Sequence, residues 1–398
     1  MNIIPIAITV PKDVTQEDLT LAKQFSGQQA GICYMPQTYA ELAAQTDTAI
    51  SRFQRVTQEG HHSVAEHVYI TVLFESCSKL FAMLLNIVQA YNTSEKSGRY
   101  TIMGNNDLYK KWLNIFDSLY KETYPQLKES LIKKLSMENA RYIISVLDKN
   151  ITFSYTTSIR MWNYILNWSR NLIDLINEKK DNRLSPLVSE LSEMNNKLSK
   201  RLEIDTITDI KSGSFDLLLN LDKNAELYRE YINYGKSHWG LTYSATYASS
   251  FVALAQLERH RTIKYHAMIP ETASFYIPSI LHSKEELKEK WIEDAKTVVF
   301  PGAQMLDVIE IGDVDRFLLK CTERLCGAAQ EEIQNITISE FKDYYFAAQK
   351  LDWPEKSLVL NKLQSFTQNN RILTKCEYLG NCSRPCSFMK EIKSKLIL

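Results

Sequence analysis

Apolar positions along this chain recur mostly at helical spacing. Residues 38–59 (TYAELAAQTDTAISRFQRVTQE) carry an apolar stripe that stops before Gly60 and predict one helix. VYITVLF at 68–74 is rich in β-branched and aromatic side chains and predicts a strand, followed by a buried helix over 76–90. Further helices are expected at 107–135, 138–147, 158–178 and 188–203. Residues 204–214 (IDTITDIKSGS) are the best linker between two halves. Beyond it, 215–221 suggest a strand and 224–234 a helix, and a Gly-containing break at 235–240 leads into the strand-like LTYSATY and a helix over 250–262. Helices resume at 284–297, 313–336 and 338–350.

The order of elements repeats. GHHSVAEHVYITVLF in the first half stands opposite GKSHWGLTYSATYAS in the second, and in each a polar break enters a strand that a helix of similar length follows. Duplication and divergence of one domain is the expectation, with boundaries at 1–204 and 205–398.

Composition narrows the function. Lys+Arg and Asp+Glu both number 47, so the formal charge is zero. A balanced chain gives no support to a nonspecific nucleic-acid binder, which needs a basic surface to neutralise phosphates. An anionic ligand must be held by a local cluster of arginines. No apolar stretch reaches the roughly 18 residues that a membrane span needs; the longest, from Leu80 to Val88, is broken by Asn86. MNIIPIAITVPKD lacks a basic leading region and a small-residue cleavage site, and reads as a first strand rather than an export signal. The odd number of cysteines, seven, then reads as reduced thiols in a cytoplasmic protein.

Four segments carry candidate chemistry. Arg259-His260-Arg261 closes the largely apolar SSFVALAQLERHR: two guanidiniums flanking an imidazole suit phosphate or a flavin's polar edge, or simply finish a helix favourably. Gly60-His61-His62-Ser63-Val64-Ala65-Glu66-His67 gathers three imidazoles, a hydroxyl and a carboxylate before a strand. Ser63 with Glu66 reads as a capping box, and the spacing matches no helical zinc motif. Glu95-Lys96-Ser97-Gly98-Arg99-Tyr100 reads as a loop in which Gly98 permits close backbone approach while Ser97 and Arg99 point at one anion; a plain surface turn is the alternative. Cys376, Cys382 and Cys386 place three thiols within CEYLGNCSRPC, a candidate zinc site needing a fourth ligand, whereas Cys321 and Cys326 read as buried helix residues.

Assembled in order, these pieces resemble the flavin-dependent thymidylate synthase family, often called ThyX. That family has a glycine-histidine loop ending in Glu-His, a strand, a helix ending in Arg-His-Arg, and a nucleotide loop of the form Glu-x-Ser-x-Arg-Tyr. The first half supplies Gly60-His61, Ser63, Glu66-His67 and then Glu95, Ser97, Gly98, Arg99 and Tyr100, but reads Ile87-Val88-Gln89 where Arg-His-Arg belongs. It also keeps Ala140-Arg141, Phe153 and Arg160, and has Thr152 where the family has a nucleotide-contacting arginine. The second half keeps Gln256 and Arg259-His260-Arg261, while its nucleotide loop has become MIPETASFYIPS. Later, Arg324 and Ala329-Gln330-Glu331-Glu332-Ile333-Gln334 resemble the family's last helix.

The losses are complementary. In the family, a homotetramer builds each site between subunits: one lends Gln, Arg-His-Arg and the late Arg, the other the Glu-x-Ser-x-Arg loop. This chain divides its surviving motifs along that line. The resemblance therefore implies an α+β fold of two tandem domains, each a small, mainly antiparallel sheet packed with several long helices. It implies one composite site per chain and a homodimer that mimics the tetramer. The implied activity is FAD-dependent C5 reductive methylation of dUMP, with methylenetetrahydrofolate and NADPH as co-substrates. By resemblance, Glu95, Ser97, Gly98, Arg99, Gln256, Arg259 and Arg324 bind nucleotide, with Arg259 and Arg324 nearest the chemistry. Ser63, Glu95, Arg160, Arg259, His260 and Arg261 hold flavin, and His61 serves folate or a proton path. Two other readings remain: a same-fold enzyme acting on UMP or another pyrimidine nucleotide, and a flavin- or nucleotide-binding protein without catalysis.

Overall fold

The computed structural model describes residues 12–87, 90–98, 101, 103–104, 106–208, 219–221, 225–234, 237–259, 261, 263–380 and 390–398. In the first half the elements run α1 (Gln16–Tyr34), α2 (Tyr39–Ala43), α3 (Asp47–Gln58), β1 (Tyr69–Ser78), α4 (Lys79–Ile87), β2 (Tyr91–Glu95), α5 (Asp107–Thr123), α6 (Glu129–Ala140), β3 (Lys149–Ser158), α7 (Ile159–Lys179) and α8 (Ser185–Leu202). The second half continues with α9 (Ala225–Tyr234), β4 (His238–Trp239), β5 (Thr242–Ser250), α10 (Phe251–Leu257), β6 (Lys264–Met268), α11 (Glu285–Lys296), β7 (Met305–Asp313) and α12 (Val314–Arg324). It ends with α13 (Glu331–Ala348), α14 (Glu355–Gln364), β8 (Thr367–Gln368), β9 (Arg371–Ile372), α15 (Lys375–Leu379) and α16 (Lys390–Ser394). Small sheets among many helices make this the α+β class that the sequence implies.

The two larger sheets share one topology. Strand order is β1-β3-β2 in the first and β4-β5-β7-β6 in the second, so β5-β7-β6 repeats the order of β1-β3-β2. Each repeat has the same two junctions, where a strand's last residue opens the next helix. Ser78 Oγ accepts from Phe81 N at 3.1 Å, Ser158 Oγ from Met161 N at 3.2 Å, Ser250 Oγ from Ala253 N at 3.1 Å and Asp313 Oδ1 from Arg316 N at 3.0 Å. A hydroxyl or carboxylate at that position satisfies a helix N–H that otherwise has no partner, which is why the chain turns from strand to helix without a loop.

Within the described residues the chain packs as two compact units. One is drawn from Met1–Cys77, Val88–Glu95 and Ile151–Gly213, the other from Ser78–Ile87, Lys96–Asn150 and Ser214–Leu398. In the first, β2 pairs antiparallel with β3 from Tyr91↔Thr157 to Glu95↔Phe153. The inward face of β3 carries Ile151, Phe153, Tyr155 and Thr157, and Trp162 of α7 donates to the Ile70 carbonyl at 3.0 Å. Helices α1 and α3 approach closely at Gly27, where a Cβ would collide with the Ala49 carbonyl.

In the second unit, β5, β7 and β6 form an antiparallel ladder. Here α5 and α6 from the first half share a core with α11 from the second: Trp112, Phe116 and Tyr142 pack with Trp291 and Leu281. The backbone joins them too. Val146 N donates to Phe300 O at 2.9 Å, Gly302 N to Ile144 O at 2.8 Å and Ala303 N to Tyr142 O at 2.7 Å.

Several boundaries differ from the periodicity. The helix expected over 38–59 breaks between Ala43 and Asp47, because Gln28 Nε2 takes the freed carbonyls of Ala43 and Gln45 at 3.0 and 2.9 Å. That over 107–135 breaks at Tyr124-Pro125, proline disfavouring helical backbone at the residue before it. The one over 138–147 ends at Ala140, its remainder being a single tight turn and the extended stretch just described. The helix at 250–262 stops at Leu257. Those at 313–336 and 338–350 divide instead at residues 325–330, with α13 continuous to Ala348. Glu95, read as loop, ends a strand. Residues 204–208 pack into the first unit, with Ile204 and Ile207 buried and Ile204 N donating to Asn163 Oδ1 at 2.7 Å. The strand expected near the N-terminus, most of that at 215–221, and residues 209–214 of the expected linker lie outside the described residues.

Candidate active site

A hydrogen-bonded cluster in the second unit joins residues far apart in sequence. Gln330 is 1% exposed, and its Oε1 accepts from Arg141 Nη2 and from Gln256 Nε2, each at 2.5 Å. Its Nε2 donates to the Tyr142 hydroxyl, which donates to Glu332 Oε2 at 2.6 Å. Glu332 also accepts from Ser250 N at 2.8 Å and Ser250 Oγ at 2.7 Å. Burial pushes the Glu332 carboxyl up while these three donors pull it down, and burial followed by the Glu332 charge pushes the Tyr142 hydroxyl up, so Tyr142 remains a donor. Arg324 Nη2 donates to the Gln256 carbonyl at 2.9 Å.

The elements explain the placement. Ser250 starts α10, so Glu332 at the head of α13 anchors the helix that carries Gln256 one and a half turns later. Arg324 is the last residue of α12, and Gln330 immediately precedes α13. Arg141 and Tyr142 follow α6 and are held by the backbone pairing with residues 302–303. The predicted nucleotide loop abuts this cluster: a Cβ on Gly98 would meet Met103 Cγ at 2.7 Å and Arg141 Cδ at 3.2 Å. Glycine is therefore needed for the loop to lie this close to Arg141.

The predicted site residues fall in two groups. Ser97, Gly98, Gln256, Arg259, Arg261, Arg324 and Cys376 belong to the second unit, and His61, Ser63, Glu95 and Arg160 to the first. Arg259 and Arg261 are exposed in the turn after α10. Arg99, His260, Cys382 and Cys386 lie outside the described residues.

In the first unit, Arg160 Nη1 pairs with Glu66 Oε1 at 2.9 Å and its Nε donates to the Tyr164 hydroxyl at 2.9 Å. His62 Nδ1 lies 2.9 Å from the same hydroxyl. The expected capping box at Ser63 is absent: His62–His67 is a 3-10 turn whose first residues make no side-chain cap, and Glu66 turns to Arg160 instead. Ser63 and His61 are exposed.

Arg141, Tyr142, Gln330 and Glu332 are the residues of the cluster that motif reading left without a role. Ala140-Arg141 and Gln330 were visible in sequence only through resemblance, since one follows a helix and the other precedes one, and neither position has a distinctive spacing. For a metal, the described residues contain no group of three or more His, Cys, Asp or Glu side chains able to hold an ion. Cys376 lies 3.4 Å from Thr374 Oγ1.

The donor set suits an anionic nucleotide. The guanidiniums of Arg141 and Arg324, from one unit, carry N–H groups and no acceptor, which matches phosphate oxygens and the carbonyl edge of a pyrimidine. The same chemistry fits the pyrophosphate and carbonyl edge of a flavin dinucleotide at exposed Arg259 and Arg261. No helix among the described residues is long and apolar enough to cross a membrane.

Comparison with known proteins bears on the first half. Residues 18–167, from α1 into α7, match the family model described as thymidylate synthase complementing protein. No curated protein matches the chain.

Proposed function

We propose that this chain, whose residues 18–167 belong to the thymidylate synthase complementing protein family, is a flavin-dependent thymidylate synthase that methylates dUMP at C5. The observation that carries the reading is the Arg141–Gln330–Gln256–Arg324 cluster beside Gly98, which draws on both halves of the sequence within one packed unit. The carbon comes from methylenetetrahydrofolate and is reduced to a methyl as the C5 proton leaves. FAD, reduced by NADPH, supplies the hydride when bound.

The chain's own residues orient and polarise. Arg324 faces the pyrimidine edge, where a fixed cation favours charge at N3 and O4 and so makes C5 more nucleophilic. Gln330 holds Gln256 and Arg141 in fixed rotamers, so neither must reorganise on binding. Ser97, Gly98 and Arg99 take the phosphate, and Arg259 and Arg261 the flavin. For the first unit the resemblance alone assigns Ser63, Glu95 and Arg160 to flavin binding and His61 to folate or a proton path. The repeated β1-β3-β2 and β5-β7-β6 order supports descent of both halves from one domain; a homodimer is the working assembly that the resemblance implies.

The test is incubation of the purified protein with FAD, NADPH, methylenetetrahydrofolate and equal dUMP and UMP, with products weighed by mass spectrometry. One methyl gained on dUMP is expected. A gain on UMP alone moves the substrate to the ribonucleotide, and no gain on either refutes catalysis. Arg259→Ala and Arg99→Ala, in different halves, are each expected to abolish turnover, and survival of activity in either refutes the shared site.

A further inference from the structure

Two segments of the first unit meet where α7 begins. Ile159 N donates to the Val68 carbonyl at 2.8 Å, which brings the His62–His67 turn against the start of that helix. Arg160 is the second residue of α7, a position where the helix dipole disfavours a cation. Three contacts hold it there. Nη1 pairs with Glu66 Oε1 at 2.9 Å, Nε donates to the Tyr164 hydroxyl at 2.9 Å, and the guanidinium carbon stands 5.0 Å from the centroid of the same ring. Nη2 makes no hydrogen bond among the described residues, and the side chain is 29% exposed.

The hydrogen bonds behind Arg160 run in one direction. His62 Nε2 lies 3.0 Å from the Thr57 carbonyl, which can only accept, so that nitrogen carries the hydrogen. In the neutral imidazole Nδ1 is then an acceptor, and at 2.9 Å it takes the Tyr164 O–H. The tyrosine oxygen in turn accepts from Arg160 Nε. The chain of bonds passes from Arg160 through Tyr164 and His62 to Thr57, in the last turn of α3, where carbonyls lack intrahelical partners. Tyr164 is thus fixed from both sides, and the open edge of the guanidinium is oriented before any ligand arrives.

We propose that Tyr164 and His62 are positioning residues that hold the Nη2 edge of Arg160 for a phosphate-type anion. The inference rests on the flavin reading above, in which that anion is the pyrophosphate of FAD. The donors fit such a group, because a planar guanidinium edge matches phosphate oxygens. The Tyr164 hydrogen is already committed to His62, so the phenol acts on the anion only through Arg160. Glu66 opposes the same anion: its carboxylate lies beside the guanidinium, is 46% exposed, and repels negative charge. Orientation by Tyr164 and repulsion by Glu66 therefore act on one ligand with opposite sign, which a purely structural role would not produce.

Titration of the full chain with FAD, followed by flavin fluorescence beside a melting curve for each variant, tests this. Tyr164→Phe keeps the ring, removes the hydroxyl, and is expected to weaken FAD binding about tenfold. His62→Leu leaves that hydroxyl without its anchor and is expected to weaken binding about threefold. Glu66→Gln keeps an oxygen for Nη1, removes the charge, and is expected to tighten binding about threefold. Riboflavin, which has no phosphate, is expected to bind the wild type and all three variants alike. Absence of FAD binding by the wild type refutes the flavin reading and this inference with it. Wild-type binding that Tyr164→Phe leaves unchanged, that Glu66→Gln weakens, or that shifts equally for riboflavin keeps the flavin and overturns the positioning. Should Tyr164→Phe fail to fold, the sign of the effect of Glu66→Gln, a change at an exposed residue, decides it.

Discussion

The guanidinium of Arg141 donates to the side-chain oxygen of Gln330 at 2.5 Å, across 189 positions of sequence. Because Gln256 donates to the same oxygen, Gln330 acts as a common clamp on one residue from each half. Loss of the clamp removes one anchor from each of two donors at the site.

Gln330→Leu is therefore expected to lower kcat/KM for the proposed substrate about 100-fold, the effect of misplacing positioned groups. Gln330→Glu keeps the acceptor, adds charge beside Arg141, and is expected to recover part of the loss. Steady-state kinetics with a parallel melting curve checks this. A loss of activity that merely follows a loss of folding contradicts the clamp.

Gly98→Ala tests the contact of Arg141 with the proposed nucleotide loop. The added methyl meets Met103 Cγ at 2.7 Å and Arg141 Cδ at 3.2 Å, both mid-chain carbons of flexible side chains rather than backbone. The fold tolerates this by displacing them, so the melting temperature is expected to move by only a few degrees. Nucleotide affinity is expected to fall about tenfold, read by titration with dUMP. Unchanged affinity shows that the position of Arg141 does not matter for binding.

What could be read in advance divides along physical lines. VYITVLF and LTYSATY declared β1 and β5 because β-branched and aromatic residues were concentrated there. The strand β3 is hard to read from sequence although Ile151, Phe153, Tyr155 and Thr157 alternate inward, since its ten residues lie between two stretches of helical periodicity. Helix α1 shows no apolar stripe because its buried positions include Ser26, Gln28 and Gln29, which serve close helix contact and the capping of a neighbouring break. Motif order points to Gln256 and Arg324, but Gln330, which holds the Gln256 amide, and Glu332, which anchors the start of its helix, owe their position to hydrogen bonds between distant segments. Long-range pairing of this kind leaves no periodic trace.

The packing of α5 on α11 gives a second structural test. Trp112 and Trp291 are fully buried with ring centroids 4.7 Å apart, edge to face, and Trp112 Nε1 donates to Asp294 Oδ2 at 2.8 Å. Asp294→Ala removes that acceptor and the partner of Lys111. A destabilisation of about 1–3 kcal/mol is expected by chemical denaturation. Trp112→Ala is expected to cost about 3–5 kcal/mol, because a large cavity opens in the shared core. Equal costs for the two variants contradict the view that ring packing is the larger contribution.

A buried charge cluster contributes to the response of the fold to pH, with the same sign as the buried carboxyls of Glu331 and Glu332. Lys320, fully buried, lies 2.6 Å from Glu310 Oε2 and 2.5 Å from Glu340 Oε2, while Tyr243 and Tyr247 donate to Glu310 at 2.5 and 2.7 Å. One lysine balances one carboxylate, and a second buried negative charge is costly. Burial first, and then the neighbouring Glu310, push the Glu340 carboxyl up to about 8 from an ordinary 4.5. The folded chain therefore keeps a proton that the unfolded chain releases between those values. Stability from this group is complete below about pH 4.5, declines as pH rises, and is lost above about 8. Asp18 and Glu377, both held down to about 2 by hydrogen bonds to Lys12 and Arg371 respectively, act with opposite sign but only at lower pH. Denaturation at pH 5, 7 and 9 is expected to show falling stability in the wild type and a flatter profile in Glu340→Gln, which cannot ionise. Lys320→Met leaves the carboxylates without their cation and is expected to cost about 3–5 kcal/mol at neutral pH. A Glu340→Gln profile as steep as that of the wild type assigns the pH response to other groups.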